Sequence, residues 1–410
     1  MSLLMLPMLL VLLMPAAPAA AAATISHPTH NATYNAPHGA AHNAQHNSAA
    51  ALPALSFAVV ADLPQAASDV ARAGALLDWV GLHGKVAFVV HLGNLKGRDE
   101  PCSDALFATR RALLESSPVP LIYLPGENDW IACARPAAGG ADPLERLDAL
   151  RETFLAGTSS LGRRTLTLTR QSELAAFHPY RENVRWSEAG VLFVTLDVPA
   201  DNNHFRDGGG RNGEFEDREV ANHAWIARST VDARRRHARA LVFLFQGNPN
   251  AVRERHATLS WWFQQRRQRD GFAALRRDLL AAARSFEGPV LVIHAGGDRA
   301  LTMESSVRTR DGYEVRNLAR IEFDMRSHPG EWIKITVDAA SKEPAFHASL
   351  ERRPPVSPGN SSTPEAAPPA ASEPTVQNPA LGNIATPTLL PLPPLGPAGV
   401  AEPGSAASTP

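Results

Sequence analysis

A recurring pattern places side chains able to do chemistry at the ends of apolar runs. Asp62 follows the run 56–61, and Asn94 follows 86–91 and Gly93. Glu127, Asn128 and Asp129 follow 120–124, Asp197 follows 191–196, and Gln246 and Asn248 follow 241–245. His294 and Asp298 follow 289–293. Short β-branched and aromatic runs of this kind read as buried strands. Carboxylates, amides and an imidazole therefore share the C-terminal ends of several strands, the edge at which open α/β sheets bind ligands. Taken singly, an Asx residue beside a glycine is an ordinary turn former. A whole series in register is harder to ascribe to turns.

Those strands need helices between them, and the sequence supplies them. Val70, Ala73, Leu76, Leu77 and Val80 recur at helical spacing within 66–82. Residues 103–116 suit a second helix with Ser103 as N-cap, and 142–155 a third that opens on Asp142 and Pro143. Two further strands are expected at 318–324 and 331–337. Alternating strands and helices make an α/β domain, which spans 55–350. Residues 1–23 combine an apolar stretch with small residues and read as a secretory signal peptide, although no Lys or Arg precedes the apolar part. Residues 24–54 are rich in His, Asn and Ala: a disordered linker of biased composition, or a metal-scavenging tether. Residues 351–410, rich in Pro, Ala, Ser and Thr, read as a disordered tail.

Composition narrows the function classes. A net charge of −1 argues against an overall electrostatic partner. Arginines crowd 228–284, either as a basic surface for an anionic substrate or nucleic acid or as a solvated helix face, and the latter is preferred. Trp261, Trp262 and Phe263 read as a core anchor before an aromatic cleft wall. No G-x-S-x-G elbow supports a serine hydrolase. No P-loop and no G-x-G-x-x-G after a strand implies a nucleotide cofactor. No stretch is long enough to span a bilayer. The two cysteines, Cys102 and Cys133, are either a pair or free thiols, and export favours the pair. Such a bridge contributes about 3–4 kcal/mol.

In order, the pieces AVVADLP, FVVHLGNLKG, LPGENDW, FLFQGNP and VIHAGGD resemble the motifs of the calcineurin-like metallophosphoesterases. The nearest likeness is to an exported bacterial branch with motifs of the type GDTPY, HVGDIKSG, YTPGDNEWTDC and HGDTH. It extends to both cysteines, ADPLERLDALRETFL, SLGRRTLTLTRQ, YRENVRW, Asn202-Asn203 and REVANHAWI, and covers about 55–340. The resemblance implies an α/β/β/α sandwich of two mixed sheets. It further implies metal-dependent hydrolysis of a phosphate mono- or diester by one or two divalent ions (Mn, Fe, Zn or Mg), which clamp the phosphate and activate a water.

Residue by residue, Asp62, Asn94, Glu127, His294 and Asp298 take the metal-ligand positions, and Asn128 the position that orients phosphate. Asn94 stands where the family bridges its metals with an Asp, so a second divalent ion should bind more weakly. Gln246 and Asn248 stand where ordinary members have a His. The expected partner is a phosphorylated small molecule or polyanionic substrate, with nucleic acid not expected, in the periplasm or secreted. The alternative is a pseudoenzyme that keeps the fold as an exported binding protein.

Overall fold

The computed structural model describes residues 54–206, 212–250, 269–309, 311–338 and 346–354. The signal segment, the His-rich linker up to residue 53, the Trp261–Phe263 cluster and the tail from residue 355 lie outside the described residues.

Two mixed sheets carry the domain. In the first the order is β14 (Phe346–Arg352), β13 (Glu331–Val337), β1 (Leu55–Val60), β2 (Val89–His91) and β3 (Leu121–Tyr123). β1, β2 and β3 run parallel, with Val60 opposite His91 and His91 opposite Tyr123. β13 and β14 add antiparallel. The parallel register gathers the ends of three strands, and so Asp62, Asn94 and Glu127, at one edge. The second sheet runs β4 (Thr169–Arg170), β5 (Val184–Glu188), β6 (Val191–Thr195), β7 (Ala240–Phe245), β8 (Val290–Ala295), β12 (Leu318–Phe323) and β9 (Thr302–Glu304). Its central strands β6, β7, β8 and β12 are parallel. A small hairpin pairs β10 (Val307–Arg308) with β11 (Glu314–Val315).

The two faces of β1 show how the layers stack. Ala58 and Val60 pack with α1 (Val70–His83), α2 (Asp104–Glu115) and α3 (Pro143–Phe154). Phe57 and Val59, pointing the other way, join β2 and the second sheet. There Phe57 and Phe88 meet Phe193 edge-on, at 5.1 and 5.0 Å between ring centroids. Such pairs add about 0.5–1.5 kcal/mol beyond their buried area. α5 (Gly213–Arg235) and α6 (Ala273–Phe286) pack against the second sheet, with Trp225, Ile226, Leu275 and Leu279 in the same core.

The expected caps form. Ser103 Oγ accepts from Leu106 N–H at 3.2 Å, and Asp142 Oδ1 from Leu144 N–H at 2.9 Å. Strand bounds differ by a few residues: β2 starts at Val89 rather than 86, and β8 runs on through His294 to Ala295. The last strand, β14, was not expected and carries the first sheet to Arg352, two residues past the expected boundary at 350. Exposed arginines at the end of α5 form a solvated helix face, where Arg234 and Arg235 complement the helix dipole.

Candidate functional site

Three loops leave β1, β2 and β3 side by side, and two glycines let them touch. A Cβ on Gly93 would collide with the backbone of Gly126, and one on Gly126 with Asn94 N. Gly93 also sits at φ +76°, which glycine adopts without steric cost. Asp62 and Asn94 hold left-handed conformations, φ 56° and 55°. Asx residues tolerate that region when the surroundings hold them there.

The surroundings here are hydrogen bonds. Asn94 Nδ2 donates to Asp62 Oδ1 at 2.8 Å, and Asn94 Oδ1 accepts from Asn128 N–H at 2.9 Å. The two neighbours fix the amide's orientation, because a carboxylate cannot donate and an N–H cannot accept. Asp129 fastens the same loops from beneath. Its carboxylate accepts from Asn94 N–H (2.9 Å), Leu95 N–H (2.7 Å), Gly126 N–H (2.8 Å) and Tyr123 O–H (2.9 Å). Behind it Cys102 and Cys133 form a disulfide, with Cα atoms 5.7 Å apart. The bridge staples the segment after β2 to the segment after β3.

The second sheet contributes through Gln246. Its Oε1 accepts from Ala200 N–H at 2.6 Å and Glu127 N–H at 3.3 Å, tying the loops after β3, β6 and β7 together. After β6 the chain makes the short turn α4 (Ala200–Asn203), and Asp201, Asn202, Asn203 and His204 are all left-handed, with φ of 54–58°. Asn202 and Asn203 anchor this turn on the backbone of Arg269 and Gly271. Asp201 lies near enough to Glu127 to push the latter's carboxyl up, after burial, while Arg98 pulls it down.

The residues expected to act together divide into groups. Asp62, Asn94 and Asn128 are joined directly, and Glu127 belongs to the same loop. His294 makes no hydrogen bond to these three: its ring stacks on Phe245 with centroids 5.8 Å apart, and its Nδ1 lies 2.8 Å from its neighbour's carbonyl, Ala295 O. Nε2 is buried without a hydrogen bond among the described residues, 3.9 Å from Glu322. Burial holds this imidazole neutral, at about 3. Asp298 is exposed on the loop beyond β8. Asn248 turns inward on its own loop, with Oδ1 accepting from Asn250 N–H at 2.8 Å.

These donors do not fit a two-metal centre. Among the described residues no three His, Cys, Asp or Glu side chains come together as a ligand set. The amide oxygens of Asn94, Gln246 and Asn248 accept backbone N–H groups, and the N–H face of Asn94 is turned to Asp62. Burial, as its largest cause, raises the Asp62 carboxyl to about 6, against the Asn94 hydrogen bond and the charge of Arg326, which lower it.

Arg326, on the loop between β12 and β13, also reaches this edge, and no strand-end pattern marks it. Its charge lies within reach of Asp62, Asp324 and Glu127. The available signal was Asp324, which directly follows a strand and continues the polar series.

No protein-family profile matches the chain, and no curated protein matches it. Among solved structures it is similar to "GAP50 the anchor in the inner membrane complex of Plasmodium". The likeness has 11% identity and a TM-score of 0.37, over 73% of this chain and 90% of that one.

Proposed function

We propose that this chain is an exported binding protein on a metallophosphoesterase-type scaffold, and not a phosphoesterase. The observation that carries the reading is the Asn94 amide. A bridging carboxylate between two cations must turn oxygen lone pairs to both. Asn94 turns N–H to Asp62 and its oxygen to a backbone N–H. Gln246 and Asn248 commit their oxygens in the same way. Amide cross-links thus take the role of holding the loops together that metal ions would otherwise share.

The Cys102–Cys133 bridge supports folding in an oxidising compartment, periplasmic or extracellular. The test is metal analysis of the purified full chain, together with hydrolysis of bis-(p-nitrophenyl) phosphate with and without added Mn²⁺. The reading expects substoichiometric divalent metal and no Mn²⁺-dependent turnover. One or two tightly held ions with turnover would instead establish the hydrolase that the motifs resemble.

A further inference from the structure

Beside the Asp62–Asn94 pair lies a cavity of about 180 Å³, walled by the end of β1, the start of α1 and the loop between β12 and β13. A cavity of roughly 150 Å³ holds a benzene-sized molecule, so this one suits roughly six to nine non-hydrogen atoms.

Most charged groups around it are already paired. Asp69 takes Arg72 at 2.7 Å and Gln65 N–H at 3.3 Å. Glu331 meets His328 at 3.0 Å and also pairs with Arg352. Two opposite charges retain unused hydrogen-bonding capacity. Asp62 gives one oxygen to Asn94, and its other oxygen has no partner among the described residues. Arg326 gives Nε to Asp324 at 3.1 Å, and its terminal nitrogens carry no hydrogen bond among the described residues. Each charge stabilises the other's charged form, yet no ion pair within 4 Å joins them. The cavity therefore presents a donor fork and an acceptor that do not satisfy each other.

We propose that this cavity binds a small α-amino acid, with its carboxylate in the fork of Arg326 and its ammonium on the free oxygen of Asp62. The inference rests on the binding-protein reading above. A guanidinium matches a carboxylate through two parallel N–H donors. A lone anion would place a second negative charge beside Asp62, and a lone cation would face Arg326. A zwitterion answers both groups and leaves the site's charge unchanged. Leu63, Met325 and Pro329 complete the wall and suit a short side chain.

The experiment is titration calorimetry on the full chain with L-alanine, L-serine, acetate, methylamine and inorganic phosphate. L-alanine or L-serine should bind with a millimolar or tighter Kd, and acetate and methylamine at least tenfold more weakly. Arg326→Gln, at a largely exposed side chain, should keep the fold and weaken amino-acid binding at least tenfold. Asp62→Asn should reduce binding of the amino acid to the level of acetate. Acetate or phosphate binding as tightly as the amino acid overturns the assignment, as does undiminished binding in Arg326→Gln. If no amino acid binds while metal and turnover are also absent, this ligand falls and the binding-protein reading stands. Mn²⁺-dependent turnover removes that reading, whatever calorimetry gives.

Discussion

At the loop edge of the first sheet the buried side chains of Asp129 and Asn94 are hydrogen-bonded to neighbouring loops, whereas just after β6 in the second sheet a whole carboxylate has no hydrogen bond among the described residues. Asp129 and Asn94 spend their capacity on cross-links between loops. Asp197, at the end of β6, is fully buried, and neither side-chain oxygen makes a hydrogen bond among the described residues. The nearest cation, Arg218 Nε, lies 3.9 Å away and already pairs with Glu214 at 2.5 Å. Arg151, the other cation in this network, pairs with Glu182 at 2.6 Å. With two cations and two anions already matched, Asp197 is a surplus charge. Its backbone is the part in use: N–H donates to Asn183 at 2.7 Å, and the carbonyl accepts from Asn222 at 2.7 Å. Polar side chains thus serve as structural ties in one region and as an uncompensated electrostatic load in the other.

The largest effect should come from cutting the ties. Asp129→Ala leaves three backbone N–H groups and the Tyr123 hydroxyl without their acceptor, in a site closed to water. Unsatisfied buried donors cost about 1–3 kcal/mol each, and partial relaxation should leave a net loss of about 4 kcal/mol. Urea unfolding measures it. A loss under about 1 kcal/mol would mean that the loops hold without this carboxylate.

Next comes the staple behind them. Replacing Cys102 and Cys133 together by Ser releases a 31-residue separation and should cost about 3–4 kcal/mol. The same denaturant experiment reads it. A much smaller loss would show that the tie lies in the hydrogen bonds alone.

A third change turns a tie into a load. Asn94→Asp sets a second carboxylate against Asp62 and removes the donor between them. Stability should fall by about 2 kcal/mol at pH 8. Most of that should return below the Asp62 value of about 6, where one of the two carboxylates holds a proton. Millimolar Mn²⁺ should recover little, because Gln246 and Asn248 keep their oxygens on backbone N–H groups. Strong stabilisation by Mn²⁺ would reveal a latent metal centre one substitution away.

How much of this could be read from the chain differs between the regions. The strand ends at Asp62, Asn94 and Glu127, and the caps Ser103 and Asp142, follow from local pattern, since periodicity and capping act over a few residues. The closure of the site does not. It depends on Gly93 meeting Gly126 and on Gln246 reaching two other loops, contacts that no local period encodes. The position of His294 is a further case: β8 continues through it to Ala295 and its ring packs on Phe245, neither of which a local pattern encodes. Arg218 would read as a helix surface residue. It is buried because Glu214, one turn earlier, and Asn203, on the left-handed turn, both receive its donors. β14 carries little pattern, because its alternating apolar residues are only Phe346, Ala348 and Leu350 and its whole length is half-exposed or exposed.

The smallest expected effect tests the load directly. Burial raises the Asp197 carboxyl well above its ordinary value of 3.8, while Arg218 pulls it down. An acid whose folded pKa is raised binds more protons in the folded state than in the unfolded state. Its contribution to stability is therefore full below the unfolded value and is lost as pH rises through the folded one. Asp197→Asn keeps the shape, the backbone N–H and the carbonyl, and removes the titration. It should match the wild type near pH 4 and exceed it in stability at pH 8. Unfolding free energies from pH 4 to 8 measure both slopes. If the variant is less stable than the wild type at pH 8, the carboxylate is ionised and held by Arg218. Asp197 would then be a tie like Asp129, and the contrast between the two regions would vanish.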